Sequence, residues 1–384
     1  MIDVQGEVAP GFEAVSDAFA ANFEHHGDVG AACAVHVAGE KVVDIWGGVA
    51  DAETGRPWQD DTLQLVFSTT KGATAVCANI LAERDDLDVD APVTEYWAEF
   101  GAAGKQGTLV RHLLAHQAGL PVIDRSLSLE EVLAWDPIVE ALAEATPLWE
   151  PGTAHGYHAL TYGWLVGEVV RRVTGKSLGQ FFAAEVAGPL DLDFFIGCPE
   201  GEAARVSRLV MWGRPSAGSK TAKLWEQFLG PETLTGRALN LGSTFAGRET
   251  WNLPQVHAAE VPAANGITDA RSLSRMYAAL IGEVDGVRLL RPDTVERART
   301  RLTQGPDKVI FFETAFGLGF MLSSDFSPYG GPGGFGHAGA GGSVGFADPE
   351  AGVAFGYVMN KMQANLAGDP RTVGLIEAVY KSLR

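Results

Sequence analysis

The apolar residues of this 384-residue chain change period twice, and that change restricts the fold more than any single motif. "GAACAVHVAGEKVVDIWGGVAD", residues 30–51, alternates small, apolar and polar side chains around a turn at Gly39–Glu40 and predicts a β-hairpin. After Ser68 the spacing becomes helical. Ala73, Val76, Cys77, Ile80 and Leu81 fall on one face and predict a largely buried helix over 69–84. Helical spacing then dominates to about residue 190, with "TLVRHLLAHQAGL" (108–120) ending at Gly119 and "TYGWLVGEVVRRVTG" closing at Gly175. "DARSLSRMYAALIG" (269–282) predicts one more helix. The pattern then returns to short apolar runs between Gly-rich turns: "FGLGFML", "GSVGFAD" and "GVAFGYVMN".

Strands at both ends with helices between them predict an α+β protein in which both termini build one antiparallel sheet flanked by helices. The expected division is a sheet domain from 1–65 and 265–384, with a mainly helical domain inserted over 66–264. Within 200–262, "GRPSAGSKTAK" and "LGSTFAGRETWNLP" read as loop or irregular cover, and no regular structure is predicted there. There is no internal repeat and no low-complexity linker.

Composition narrows the partners. Hydrophobic residues make up 46% and charged residues 20%, the profile of a soluble globular chain. A formal net charge of −19 repels nucleic acid and anionic membranes, and disfavours anionic substrates at long range. No apolar run is long enough to cross a bilayer, and "MIDVQGEVAPGF" lacks the basic start and apolar stretch of a signal peptide. Cys33, Cys77 and Cys198 are few, odd in number and far apart, which argues against disulfides and a thiolate zinc site. A cytoplasmic protein is expected.

The chemistry begins at "LVFSTTK", where Ser68 precedes Lys71 by three residues as the strand-like run gives way to the helix. A Ser in a helix's first turn has an unsatisfied N–H and the positive end of the dipole beside it. Lys71 lies one turn on, on the same face, and a desolvated Lys has a lowered pKa and can accept the Ser proton. The spacing alone leaves two readings open: a capping serine with a solvated lysine, or a nucleophile with its base.

Two further segments bear on that choice. Tyr157 follows a Pro-Gly turn in "EPGTAHGYHALTYGW" and precedes a helix, and His337-Ala338-Gly339 lies before a Gly-rich strand. In order and spacing, Ser-x-x-Lys, a Tyr at a helix entry and a basic-x-Gly triplet resemble the serine β-lactamase and penicillin-binding-protein superfamily. "LDVDAPVTEYWAEF", "VRHLLAHQAGLP" and "VTGKSLGQFFAAEVAGPLDLD" resemble connecting segments of its class C-like branch. The resemblance spans most of residues 15–365 and is weakest over 205–255. It implies the β-lactamase-like fold, with Ser68 as nucleophile and Lys71 and Tyr157 sharing the base. Tyr157 would also protonate the leaving alcohol, and the N–H groups of Ser68 and Ala340 would form the oxyanion hole.

Departures from the family pattern narrow the substrate. The second motif, usually Tyr-x-Asn, is Tyr157-His158-Ala159 here, so the amide that holds a β-lactam or peptide side chain is missing. The third, usually Lys-Thr-Gly, is His337-Ala338-Gly339, which drops the hydroxyl and the fixed positive charge that hold a carboxylate. Both changes favour a neutral ester, and the chain resembles the family VIII carboxylesterases. The rivals are a β-lactamase or D-amino-acid peptidase, an acyltransferase with another alcohol as acceptor, and a non-catalytic acyl-ligand or peptidoglycan-binding module. His337 and Gly339 are candidate substrate contacts, and His337 serves equally as a strand-edge residue.

Other motifs carry less. Gly341–Gly345 matches G-x-S-x-G, but an α/β-hydrolase needs its catalytic His downstream and all nine His precede Ser343. His112 and His116 have zinc-helix spacing without the Glu after the first His, and His155 and His158 lack a third ligand. One His capping a turn and the other packing beneath it explains the first pair. Trp212, Trp225 and Trp251 are candidates for an acyl-pocket wall. No metal and no cofactor is expected. The expected partner is a small-molecule ester, and the oligomeric state is not legible.

Overall fold

The structure, a computed structural model, describes residues 2–213, 216, 218–365 and 368–384. The N-terminal strands are β1 (Gln5–Val8), β2 (Gly30–Val37), β3 (Glu40–Asp51) and β4 (Arg56–Pro57). A short trio follows: β5 (Gln64–Leu65), β6 (Phe194–Phe195) and β7 (Ile267–Thr268). The later strands are β8 (Thr303–Pro306), β9 (Glu313–Phe316), β10 (Met321–Leu322), β11 (Phe335–Ala338), β12 (Val344–Asp348) and β13 (Val353–Met359).

Both groups of longer strands join in one ten-stranded sheet, in the order β1-β3-β2-β13-β12-β11-β10-β9-β8 with β4 beside β3. Its seam is the antiparallel pairing of β2 with β13, from Val37 opposite Val353 to Ala31 opposite Met359. β5, β7 and β6 form a second, three-stranded sheet that brings the chain up to Ser68.

Alternation along the central strands sorts side chains into two cores. Val35 and Phe355 face α1 (Glu13–Ala21) and α6 (Pro370–Ser382), against Phe19, Leu375 and Val379. Ala34 and Ala354 face the other way, toward Leu273, Met276 and Tyr277 of α5 (Ala270–Ile281). Each fully buried Leu or Phe contributes about 1.5–3 kcal/mol. Small residues on the α5 side let that helix lie close to the sheet.

α2 (Thr70–Glu83) is buried from Thr70 through Ala82, so no face of it meets water. It packs against α4 (Thr161–Thr174), which ends at Gly175 in the left-handed conformation. The hairpin is present, but its turn is Ala38-Gly39, both at positive φ, one position earlier than the alternation suggests.

Three expectations are corrected. The helix predicted over 108–120 is only α3 (Val110–Leu114). His116 adopts φ +57° and Gln117 N–H reaches back to the His112 carbonyl, a Schellman-type stop four residues before Pro121's neighbour Leu120. The segment read as irregular contains helices at Lys220–Leu229, Leu234–Asn240 and Pro254–Ala258; residues 214, 215 and 217 of "GRPSAGSKTAK" lie outside the described residues. Of "FGLGFML", only Phe316 and Met321–Leu322 are in strands. Among the described residues, no helix is long and apolar enough to cross a membrane.

Candidate active site

Ser68 sits in a single 3-10 turn, Phe67–Thr69, that leads straight into α2. The chain enters that turn through Phe67 at φ +46°, a region bulky side chains avoid and structures hold only under constraint. Trp251 supplies part of the constraint, its ring edge-on to Phe67 at 5.2 Å. The consequence is a partly exposed Ser68 at the tip of a buried helix.

Lys71 is wholly buried one turn away. Its Nζ lies 3.0 Å from Ser68 Oγ, 2.7 Å from the Ala159 carbonyl and 3.0 Å from the Ala263 carbonyl. No carboxylate pairs with it among the described residues, and desolvation holds its pKa well below the usual 10.5. A neutral amine has two N–H groups and one lone pair. Once deprotonated, the amine can give its two N–H groups to the two carbonyls and turn its lone pair toward the Ser68 hydroxyl. Ala159 thus contributes a backbone carbonyl at the place where its relatives' motif carries an amide side chain.

Tyr157 is buried, with its phenol near enough to the Ser68 side chain to be influenced by it. Lys71 Nζ is 4.7 Å from the centroid of its ring. Burial raises the phenol's pKa, the Ser68 hydroxyl opposes that, and the charge of Asp307 adds to it. The phenol is therefore protonated at rest, a donor and relay rather than a standing phenolate.

Asp307 fixes this tyrosine, and nothing local in the sequence marks it. Its Oδ1 accepts the N–H of Tyr157 at 3.0 Å, of Val309 at 2.8 Å and of Ile310 at 3.0 Å. Oδ2 accepts from the Thr314 hydroxyl at 3.2 Å, which His155 Nε2 also meets at 3.0 Å. A Pro-Asp pair opening a turn is the only signal that could have flagged it.

Burial lowers the pKa of the histidines around the site. His158 Nδ1–H donates to the Gly156 carbonyl at 2.7 Å, and its Nε2 accepts the Leu120 N–H at 2.9 Å. Burial pushes its pKa down to about 3. His116 Nδ1 accepts the His158 N–H at 3.0 Å and its ring lies 5.0 Å from that of Tyr157. His112 Nδ1 accepts the Leu109 N–H at 3.2 Å, capping α3. Among the described residues no group of three His, Cys, Asp or Glu side chains gathers to hold a metal.

His337 is buried 6.0 Å from the Tyr157 ring, centroid to centroid, with Nδ1–H donating to the Ala338 carbonyl at 2.7 Å. Burial, then the nearby Lys71, pushes its pKa down to about 3. It carries no charge with which to hold a carboxylate. Gly339, expected as a substrate contact, has its N–H donating to the Ser343 carbonyl at 2.7 Å and its carbonyl accepting the Gly342 N–H at 3.2 Å. A Cβ at Gly339 would collide with Ser343 Oγ and the Val66 carbonyl. The glycine lets the 339–343 turn lie against the Ser68 turn, and Ser343 Oγ fastens the two through the Val66 carbonyl at 2.8 Å and Thr69 Oγ1 at 3.1 Å. Ser343 is followed by strand β12, not by the helix of a nucleophile elbow. Among the described residues the Ala340 N–H donates to no acceptor. Trp251 reaches the site through Phe67, whereas Trp212 packs on Trp225 at 5.8 Å.

A hydroxyl, a buried amine of lowered pKa and a phenol gathered at the tip of a buried helix, between an antiparallel sheet and a helical layer, define the class of serine acyl-transfer proteins on the β-lactamase-like fold. Comparison with known proteins gives the same class. The chain belongs to the beta-lactamase family, whose model matches residues 18–378. It is 38% identical over 370 residues to the "Esterase/beta-lactamase LipL" of Mycobacterium tuberculosis (strain ATCC 25618 / H37Rv), covering 94% of this chain and 84% of that protein. A crystal structure of a family VIII carboxylesterase superposes with a TM-score of 0.89 at 39% identity, covering 99% of this chain and 100% of the other. A penicillin-binding protein homologue from Caulobacter crescentus superposes with a TM-score of 0.87 at 37% identity, again covering 99% and 100%.

Proposed function

We propose that this chain is a serine hydrolase that cleaves short-chain carboxylic esters through an acyl-enzyme. The observation that carries the reading is the buried Lys71 amine, with no carboxylate partner among the described residues and with Nζ within hydrogen-bond distance of Ser68 Oγ and of two carbonyls. Ser68 Oγ attacks the ester carbonyl while its proton passes to Lys71, directly or through Tyr157. The oxyanion is held by the N–H groups of Ser68 and Ala340. The ester C–O bond breaks as Tyr157 gives the leaving alkoxide a proton and is resupplied from Lys71. Water then attacks the acyl-enzyme, with Lys71 and Tyr157 again taking its proton, and frees the acid.

The substrate preference rests on what the site lacks. Neutral His337 and the apolar Ala338 offer nothing to a carboxylate, and the −19 net charge repels anions. A reading with β-lactam turnover is supported by the family itself and by the similarity to LipL and to a penicillin-binding protein homologue. One experiment separates the two: nitrophenyl acetate, butyrate and octanoate run beside a chromogenic cephalosporin. Ester turnover is expected to dominate, and faster cephalosporin turnover reverses the assignment. Labelling of the Ser68 peptide by a fluorophosphonate is expected, and its failure would favour the non-catalytic binding role. Three buried free cysteines suit the reducing cytoplasm, where we place the protein.

A further inference from the structure

We infer that Arg371, in the first turn of α6, is a positioning residue for the oxyanion-binding N–H of Ala340. The inference rests on the ester-hydrolase reading above. Arg371 is fully buried, and its three guanidinium nitrogens reach four partners: Asp28, Asp369 and the carbonyls of Lys361 and Gly341. Nη1 donates to Asp28 Oδ1 at 2.6 Å, Nη2 to Asp369 Oδ2 at 2.7 Å, and Nη2 also to the carbonyl of Gly341. Asp28 is in turn held by the Tyr357 hydroxyl of β13, and Asp369 by Asn365 Nδ2 at 2.9 Å. The planar fork of an arginine fixes these directions at once.

The Gly341 carbonyl belongs to the turn that carries Ala340, one residue away. Within that turn the Gly342 N–H reaches back to the Gly339 carbonyl at 3.2 Å. In a trans peptide the carbonyl and the following N–H point in opposite directions. Turning the Gly339 carbonyl inward to Gly342 therefore turns the Ala340 N–H outward, free of any internal acceptor. Gly342, at φ +129°, has no room for a side chain, because a Cβ would strike Arg371 Nη2. The guanidinium thus abuts the backbone whose hydrogen bond sets the orientation of the donor. Loosening Arg371 lets the 339–340 peptide rotate, and the oxyanion loses a preorganised partner without any substrate contact being touched.

Arg371→Lys keeps the charge and removes the fork. The measurement is kcat and KM on nitrophenyl butyrate, normalised to the sites counted by end-point fluorophosphonate labelling, with the affinity of an aryl boronic acid measured in parallel. Losing one oxyanion donor costs about 10²–10³ in turnover, so a loosened one is expected to lower kcat per labelled site about 10- to 100-fold. KM should stay within about twofold, and the boronic acid should weaken by a similar factor to kcat. A merely structural role would lower the number of labelled sites and leave kcat per site unchanged, and that result overturns the inference. Should the lysine variant not fold, Asp369→Asn carries the test. It places an amide where Nη2 now finds a carboxylate while keeping a good cap for α6. An intermediate loss of kcat per site supports the inference, and an unchanged value overturns it. A wild-type protein that neither labels nor hydrolyses esters sinks the ester-hydrolase reading itself, a result distinct from either outcome.

Discussion

Replacing Asp307 separates the chemistry of Tyr157 from the scaffold that holds it. Asp307→Ala strands three buried backbone N–H groups, those of Tyr157, Val309 and Ile310, together with the Thr314 hydroxyl. A hydrogen bond to a charged acceptor contributes about 1.5–3 kcal/mol, and an abandoned buried donor costs about 1–3 kcal/mol. Three donors sharing one oxygen are not additive, since the 307–310 turn can rotate partly toward water, so we expect a net loss of about 3–6 kcal/mol. Asp307→Asn keeps a carbonyl oxygen where Oδ1 stands and turns its amide toward Thr314 Oγ1, which can accept. Its loss should be about 1–2 kcal/mol. Urea unfolding followed by circular dichroism orders the three proteins, with the midpoint of the alanine variant lowest and the asparagine variant close to wild type. Turnover of nitrophenyl butyrate should follow the same order. A misplacement of about 1 Å in a reacting group costs about 10²-fold, so the alanine variant should fall at least that far with the asparagine variant within about tenfold of wild type. Equal losses for Asn and Ala, or an alanine variant within about 1 kcal/mol of wild type, would refute the view that the carboxylate oxygen anchors the Tyr157 main chain.

Other perturbations read the remaining groups. Lys71→Arg keeps a cation but cannot shed its proton, so kcat/KM should fall by about 10³-fold or more, and retention of more than a tenth of activity would remove Lys71 as base. Tyr157→Phe deletes the relay but neither carbonyl contact of Lys71; a kcat loss of about 10²–10⁴-fold with little change in urea midpoint is expected. Buried His337 and His158, each with its pKa pushed down to about 3, make the fold acid-sensitive. The unfolded imidazoles bind protons below about 6.5, the folded ones only near 3, so this stability is intact above 6.5 and drains as pH falls between those values. His337→Gln should flatten that loss by about 1.4 kcal/mol per pH unit in urea titrations at pH 7, 6 and 5, and an unchanged slope would mean the residue is not neutral and buried.

The parts of the molecule legible in sequence are those set by neighbours along the chain. Ser68 and Lys71 share a helical face because they are three apart, and the periodicity of Ala73 to Leu81 shows which helix it is. The β2–β3 hairpin is local too, although its turn is one residue early because Ala38 tolerates positive φ. Tyr157 was reachable only through family resemblance, since nothing nearby distinguishes it from a packing aromatic. Asp307 and Arg371 were out of reach, because their partners lie 150 and 343 residues away in Tyr157 and Asp28. The early end of α3 has the same origin. Its sequence continues in good helix formers, and it is the seating of the His116 ring among Tyr157, Tyr162 and Phe316 that turns the chain. The α6 helix carries ordinary local signals, an Asp cap followed by Pro370.

The β2–β13 seam has a consequence for biosynthesis. Ser68 is translated long before Ala340, and the pairing of residues 31–37 with 353–359 cannot close until β13 has left the ribosome. Until then the chain lacks the central seam of its sheet and the turn proposed to supply the second oxyanion donor. The topology makes the zipping of distant segments a late step on which the proposed site depends.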